Sequence, residues 1–500
     1  MTASGNDSAL DLLVVEAFTW TPTLETACEI GLRHVNAGRR VGFVFLDIEN
    51  VDQFPLDVGI DMGSRLYRLG RKARMRRVKT VEEILRSRGV TVIDPVRYPR
   101  SGRRLSCAQL GVDSTDSLRT FRCEGAAIGL GTLASLVRRL GDSEPDFTEN
   151  RPAVDRLLNS AYRAFVLTRD LIEQWRPSEV LVYNGRFAVS KGISEAARLA
   201  DVRVFYHELV STHDRFYFSH HSVHSMHHSR RELLDSWDAA GEDRELVARQ
   251  YFTPGRGGVP LFETQFLEFQ RREQTIPRNH RWRIAYFVSS IEEYAAVEEG
   301  FEDPLFDTQH SAAEWLVSWV HDNPDVELII RLHPRMRHLS VRERGWWDSL
   351  SAPNVTVLQA ESPIDSYRLA SSADRVVAYH SSIGAEASYL GAVSVLIGDA
   401  DYRGLDCVYE PRTTGELAAL LRDTGLAPKP RANCLPFGYQ RLRRGEQYEF
   451  YQPISFDEGS FFGQRITPDK QDPPLLHRIA RGALRRLDRR SVAARKEVGR

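Results

Sequence analysis

The chain has 500 residues, enough for two or three domains with buried cores. Its 42% hydrophobic and 27% charged content is that of an ordinary globular protein, and a formal net charge of -1 gives no global attraction to nucleic acid. Five cysteines without a Cys-x-x-Cys pair argue against a disulfide framework or a structural zinc site, and no apolar run approaches the ~20 residues of a membrane span, so a cytoplasmic protein is expected.

The opening MTASGNDSALDLLVVEAF lacks the basic region and long apolar run of a signal peptide. Leu10–Phe18 reads as a buried strand, Pro22 opens a helical pattern to about Val35, and Arg39–Ile48 is a second strand. That β-α-β spacing predicts a parallel, doubly wound sheet. Gly102–Gly131, polar and glycine-rich, gives no clear element. In the segment ending at Pro177, Leu158, Tyr162, Phe165 and Ile172 recur at helical spacing. A strand at Val180–Tyr183, a helix at Ala188–Leu199 and a strand at Val202–Glu208 follow.

Turn-rich Thr253–Pro260 and polar Arg271–Arg281 mark a junction. Beyond it the alternation is regular. Strands are predicted at Trp282–Ser290, Val326–Pro334, Asn354–Gln359, Arg375–His380 and Val393–Gly398, with helices at Ser311–His321 and Pro363–Ala370. The organisation predicted is therefore an α/β domain over 1–270, a second over 271–425, and an extension over 426–500. The tail Leu475–Arg500 carries nine Arg or Lys against two acids. It suits either a solvated helix or an electrostatic contact with an anionic membrane surface. The arginine excess (only six of 67 basic residues are lysine) runs along the whole chain and reads as compositional.

Ligands of doubly wound sheets bind at the carboxyl ends of strands. Three such loops fall in the second half: Ser289-Ser290 followed by Glu292-Glu293; Arg331-Leu332-His333-Pro334; and His380-Ser381-Ser382-Ile383-Gly384, opening the helix that bears Glu386. Two hydroxyls and a glycine at a helix start can cradle a phosphate, or the serines can simply cap the helix. Proline stiffens the turn after His333, whose ring can donate to a phosphate oxygen or move a proton.

The run IIRLHP … ADRVVAYHSSIGAEASYLGAVSVLIG resembles the nucleotide-sugar-binding domain of GT-B glycosyltransferases, above all bacterial capsule and surface-polysaccharide enzymes of the sialyltransferase-like and Kdo-transferase-like groups. The resemblance covers roughly Trp282–Leu420. It implies a GT-B-like fold of two Rossmann-type domains facing a central cleft, with no cofactor and no metal required. It also implies that His333 and Ser381-Ser382 hold the donor phosphate, with Glu386 on the ribose; Ser289, Ser290, Arg331, Pro334 and Gly384, on the same strand-end loops, are the remaining donor-side candidates. The donor expected is a nucleotide-sugar, a CMP-sugar among the candidates, and the acceptor a glycan or lipid-linked glycan. On the same fold, a polyol-phosphate transferase, a nucleotide-sugar epimerase and a catalytically silent scaffold of polysaccharide assembly remain open.

On the N-terminal side, the Tyr183-Asn184-Gly185-Arg186 loop and the His207-Glu208 strand end resemble the acceptor half of the same enzymes. Asn184, Gly185, Arg186 and His207 are the acceptor candidates, although Gly185 at positive φ with a solvated Arg186 would also make a plain turn. An inverting transfer needs a base. Glu208 is the first choice, with Asp214 and Glu16 as rivals. His333 is the remaining catalytic candidate. Tyr206–Arg230 holds seven of the 15 histidines. If helical, it would set His220, His224 and His227 on one face at metal-binding spacing; a polar, aromatic loop facing substrate is the alternative.

Overall fold

A computed structural model describes residues 9–53, 65–99, 102–253, 261, 270, 274–278, 281–297, 304–456 and 458–465. The basic tail from Leu475, and most of the two turn-rich stretches at the predicted junction, lie outside these residues.

The first sheet comprises β1 (Leu12–Glu16), β2 (Val41–Leu46), β3 (Thr91–Val96), β4 (Glu179–Tyr183), β5 (Arg203–Leu209) and β6 (Arg215–Ser219). The second comprises β7 (Trp282–Phe287), β8 (Val326–Arg331), β9 (Val355–Leu358), β10 (Arg375–Ala378) and β11 (Ser394–Leu396). Late in the chain, β12 (Glu446–Gln447) returns to the first sheet and pairs antiparallel with β6. The spatial orders are β12-β6-β5-β4-β1-β2-β3 and β11-β10-β7-β8-β9. Both follow one plan. The chain starts centrally, winds outward to one edge, crosses back, and winds the other way.

All pairings within the second sheet are parallel. In the first, β1 to β5 are parallel, while β5–β6 is an antiparallel hairpin. Helices cover both faces of such sheets, which is why the central strands are continuous apolar runs. β1, β2 and β4 are buried at every position, whereas edge strand β3 is half-exposed and carries a proline and an aspartate. The direction of winding reverses between β1 and β4 in one sheet and between β7 and β10 in the other. The architecture is thus the GT-B-like pair of doubly wound domains expected.

Caps explain where helices depart from the sequence pattern. The helix expected from Ser311 starts at Gln309, because Thr308 and Ser311 form a reciprocal capping box. The one expected from Pro363 runs from Ser366 to Ser372, since the Asp365 side chain accepts the N–H of Arg368. The unassigned stretch contains short helices at Cys107–Leu110 and Thr115–Thr120 and the first part of a buried helix at Ile128–Leu140. The helical spacing around Tyr162 belongs to a 29-residue helix, Phe147–Trp175. No helix among the described residues is long and apolar enough to cross a membrane.

Candidate active site

At the end of β4, Asn184 and Gly185 both take left-handed backbone conformations, with φ of 57° and 77°. Asparagine tolerates that region better than most side chains, and glycine pays no Cβ penalty there. A Cβ on Gly185 would also lie 2.3 Å from the Tyr206 ring. This tight turn aims the buried Asn184 amide in two directions. Oδ1 accepts the N–H of Arg186 at 3.1 Å, and Nδ2 donates to Glu208 Oε2 at 2.5 Å. The same nitrogen lies 3.3 Å from His224 Nε2.

Glu208, at the end of β5, also accepts the N–H of Leu209 at 2.9 Å and the Tyr183 hydroxyl. Burial raises its pKa, against the opposing pull of those three hydrogen bonds. The rival carboxyls sit differently. Glu16 is 1% exposed, accepts the N–H groups of Ala17 and Phe18, and faces His207 Nε2 at 3.3 Å. His207, equally buried, is therefore part of an inner pair and does not line the cleft as an acceptor contact would. Asp214 lies exposed in the β5–β6 turn, where its carbonyl accepts the N–H of Tyr448.

In the second domain two of the three predicted loops converge, and the Ser289-Ser290 pair lies outside their cleft. An open cleft enclosing about 640 Å³, its solvent-filled mouth included, is lined by Arg331, His333, Pro334, Ser381, Ser382 and Glu386 together with Phe287, Val288, Gln270 and Tyr367. Pro334 occupies the first position of a 3-10 turn, Pro334–His338, and His333 Nδ1 accepts the N–H of Arg335 at 3.2 Å. That bond leaves the ring proton on Nε2. Burial lowers the pKa of His333 to about 4, so the ring is a neutral donor at physiological pH.

Ser382 makes no side-chain cap on the seven-residue helix Ile383–Tyr389, and Ser381 Oγ reaches the N–H of Ile383 only at 3.5 Å. Neither hydroxyl is therefore committed to strong capping. Gly384 is required by packing: a Cβ there would be 2.2 Å from the Tyr402 hydroxyl, which donates to the carbonyl of Ser381. Arg331 is 2% exposed and holds the carbonyls of Gln359 and Ser362, so it braces the wall. Glu386 accepts the Tyr251 hydroxyl at 2.6 Å and that of Tyr367. Ser289 and Ser290 are buried at the end of β7, and the Ser289 hydroxyl has no hydrogen-bond partner among the described residues.

A cluster that the sequence does not announce joins the two domains beside these loops. Glu292 Oε2 lies 3.3 Å from Arg138 Nε, and its Oε1 lies 2.9 Å from an Arg335 nitrogen. Arg186 donates to the Glu292 carbonyl. Burial opposes the charge on Glu292, yet Arg335, Arg138 and Arg186 together hold its pKa below the ordinary carboxylate value. The acidic pair after Ser289-Ser290, and an arginine two residues beyond His333, were the available signals.

The histidine-rich segment is not one helix. The helix Met226–Asp238 begins after Ser225, whose hydroxyl caps it, leaving His220 and His224 on the preceding loop. His220 packs on the Phe205 ring, His224 reaches Asn184, and His227 is exposed. No group of three or more His, Cys, Asp or Glu among the described residues is arranged to hold a metal ion.

No protein-family model and no curated protein matches the sequence. Solved structures give distant likenesses. The Thermosulfurimonas dismutans KpsC beta Kdo 2,7 transferase is 15% identical over 62% of this chain and 88% of its own, with a TM-score of 0.35. The beta Kdo 2,4 transferase of the same KpsC is 11% identical over 52% and 78%, at 0.32. The Methanocaldococcus jannaschii UDP-GlcNAc 2-epimerase in complex with UDP-GlcNAc and UDP is 9% identical over 85% and 98%, at 0.28.

Proposed function

We propose that the chain is a glycosyltransferase, taking a sugar from a nucleotide-sugar held in the second domain and passing it to a surface or capsular glycan. The observation that carries this reading is the convergence of His333-Pro334 and Ser381-Ser382 on one cleft at the winding reversal of the second sheet. Glu208 stands at the corresponding edge of the first sheet. The His333 Nε2–H and the two serine hydroxyls would donate to the donor phosphate and stabilise charge developing on it as the sugar leaves. Glu208 would take the proton of the acceptor hydroxyl as the new C–O bond forms and the bond to phosphate breaks, the electron pair departing with the nucleotide. Asn184 and Arg186 would orient the acceptor. A CMP-sugar is the donor we would try first. The basic tail Leu475–Arg500 would bring the enzyme to an anionic membrane surface where lipid-linked acceptors are presented.

The pairing of a carboxyl and a neutral imidazole on the one Asn184 amide also suits a nucleotide-sugar epimerase, which needs no acceptor. Binding and product assays separate the readings. CMP-, UDP-, GDP- and CDP-sugars are screened by thermal shift, since a ligand of the native state raises its apparent stability. At least one should shift the wild type and fail with His333→Ala, whose own melting temperature stays close. If none binds, the assignment falls. Rearranged sugar released without acceptor would favour the epimerase.

A further inference from the structure

His224 comes from the histidine-rich segment, and the proposed reaction does not use it. Its position is nevertheless fixed. The loop between β6 and the helix Met226–Asp238 is pinned by the Ser222 hydroxyl, which accepts the N–H of His224 at 3.3 Å, and by the Ser225 cap. From there the ring reaches the turn that carries Asn184.

An asparagine side chain offers two N–H donors and one carbonyl acceptor. At Asn184 all have partners: Oδ1 faces the N–H of Arg186, one N–H faces Glu208 Oε2, and the other faces His224 Nε2. A flipped amide would set Oδ1 against the Glu208 carboxylate and Nδ2 against the Arg186 N–H, losing contacts on both sides. His224 can hold the observed orientation only as an acceptor, with its proton on Nδ1.

Its surroundings enforce this. The groups facing it are Arg186 after β4, Arg335 after β8, His380 after β10 and Arg444 after the helix Leu435–Arg443, with Glu208 reached through Asn184. Burial first, then Arg186, His380, Arg444 and Arg335, keep the ring far more acidic than ordinary histidine. It is thus a permanent neutral acceptor over the range where histidines usually switch.

We propose that His224 is a positioning residue for the cleft carboxylate: it takes the second N–H of the Asn184 amide and so keeps the first on Glu208. The inference rests on the reading of Glu208 as the base. The groups on Glu208 are then the Asn184 amide, the Leu209 N–H and the Tyr183 hydroxyl, with His207 nearby. Each favours the ionised form, and the amide is the member that can rotate away.

The test needs no substrate. Melting temperature against pH for the wild type and Glu208→Gln differs by the titration of Glu208, whose pH is read from that difference. In a His224→Phe background the Glu208 titration shifts upward, because an amide no longer held donates less; in His224→Gln, which keeps an acceptor, it returns to the wild-type position. An unmoved titration in His224→Phe, or no rescue by His224→Gln, overturns the proposal. Should His224→Phe fail to fold, imidazole 15N spectra of the wild type decide, with His224→Gln identifying the signal. A single Nδ1–H tautomer that does not titrate between about pH 5 and 8 supports the role; an Nε2–H tautomer or a protonated ring refutes it. Failure of the donor-binding screen leaves these measurements readable, and their failure leaves donor binding untouched.

Discussion

His333 gives the sharpest quantitative expectation. Burial takes its pKa from the ordinary 6.5 to about 4. The unfolded chain therefore binds this proton as pH falls through 6.5, while the folded protein does so only near pH 4, and acidification between those values favours unfolding. At pH 5 the imbalance amounts to about 2 kcal/mol of lost stability, against almost nothing at pH 7.5. His333→Asn removes the titrating group while keeping a side chain able to accept the Arg335 N–H. Urea unfolding at the two pH values should show the wild type losing about 2 kcal/mol more than the variant. The imidazole resonance that vanishes in His333→Asn should titrate near pH 4 in the free protein. A bound phosphate beside the ring should draw that titration back upward, since an anion favours the protonated form. A free-protein titration near 6.5, or equal acid losses in both proteins, would refute the account of a neutral, desolvated donor.

Two further substitutions probe the frame of the cleft. Gly384→Ala forces a methyl group to 2.2 Å from the Tyr402 hydroxyl, so it should cost about 2 kcal/mol in thermal denaturation and weaken nucleotide binding by displacing Ser381; unchanged melting and binding would show the contact to be pliable. Glu292→Gln removes the carboxylate that Arg138 and Arg335 share but leaves Asp52 on the one and Glu293 on the other, so it should cost about 2 kcal/mol, with faster amide exchange in the 186 and 335 loops, whereas exchange like that of the wild type would mean the domains are held elsewhere.

The parallel strands were legible because burial on both faces leaves uninterrupted apolar runs, as in the Leu12–Glu16 and Val326–Arg331 stretches. Loops such as Arg331–Pro334 stood out because polar residues ended those runs. β12 was not legible: two exposed residues, Glu446 and Gln447, pair with a strand more than two hundred positions earlier. Nor was the region from Arg65 to Val96, whose helix is crowded with arginine and whose edge strand is half-exposed. The arginine excess also hid Arg138 and Arg335 among residues read as compositional, because an ion cluster joining a helix to three loops leaves no periodic trace. The histidine segment misled for a local reason. Ser225 caps the helix one residue after His224, so helical spacing does not apply upstream of it.

The return of the chain to its first sheet has a mechanical consequence. The helix Arg244–Phe252 packs against Leu435–Arg443, with Gly438 allowing the Phe252 ring to approach, and Arg443 leads within three residues into β12. The chain leaves the first sheet after Ser219 and returns to it at Glu446 beside that exit, where Arg444 bonds Ser229 and Glu232, so the lobes are joined as by two pins of a door hinge. A single linker would permit swivelling about any axis. Two adjacent crossings suppress twist, and the Glu292 cluster, which ties the Arg186 loop to the Arg335 loop, holds the lobes at a third point.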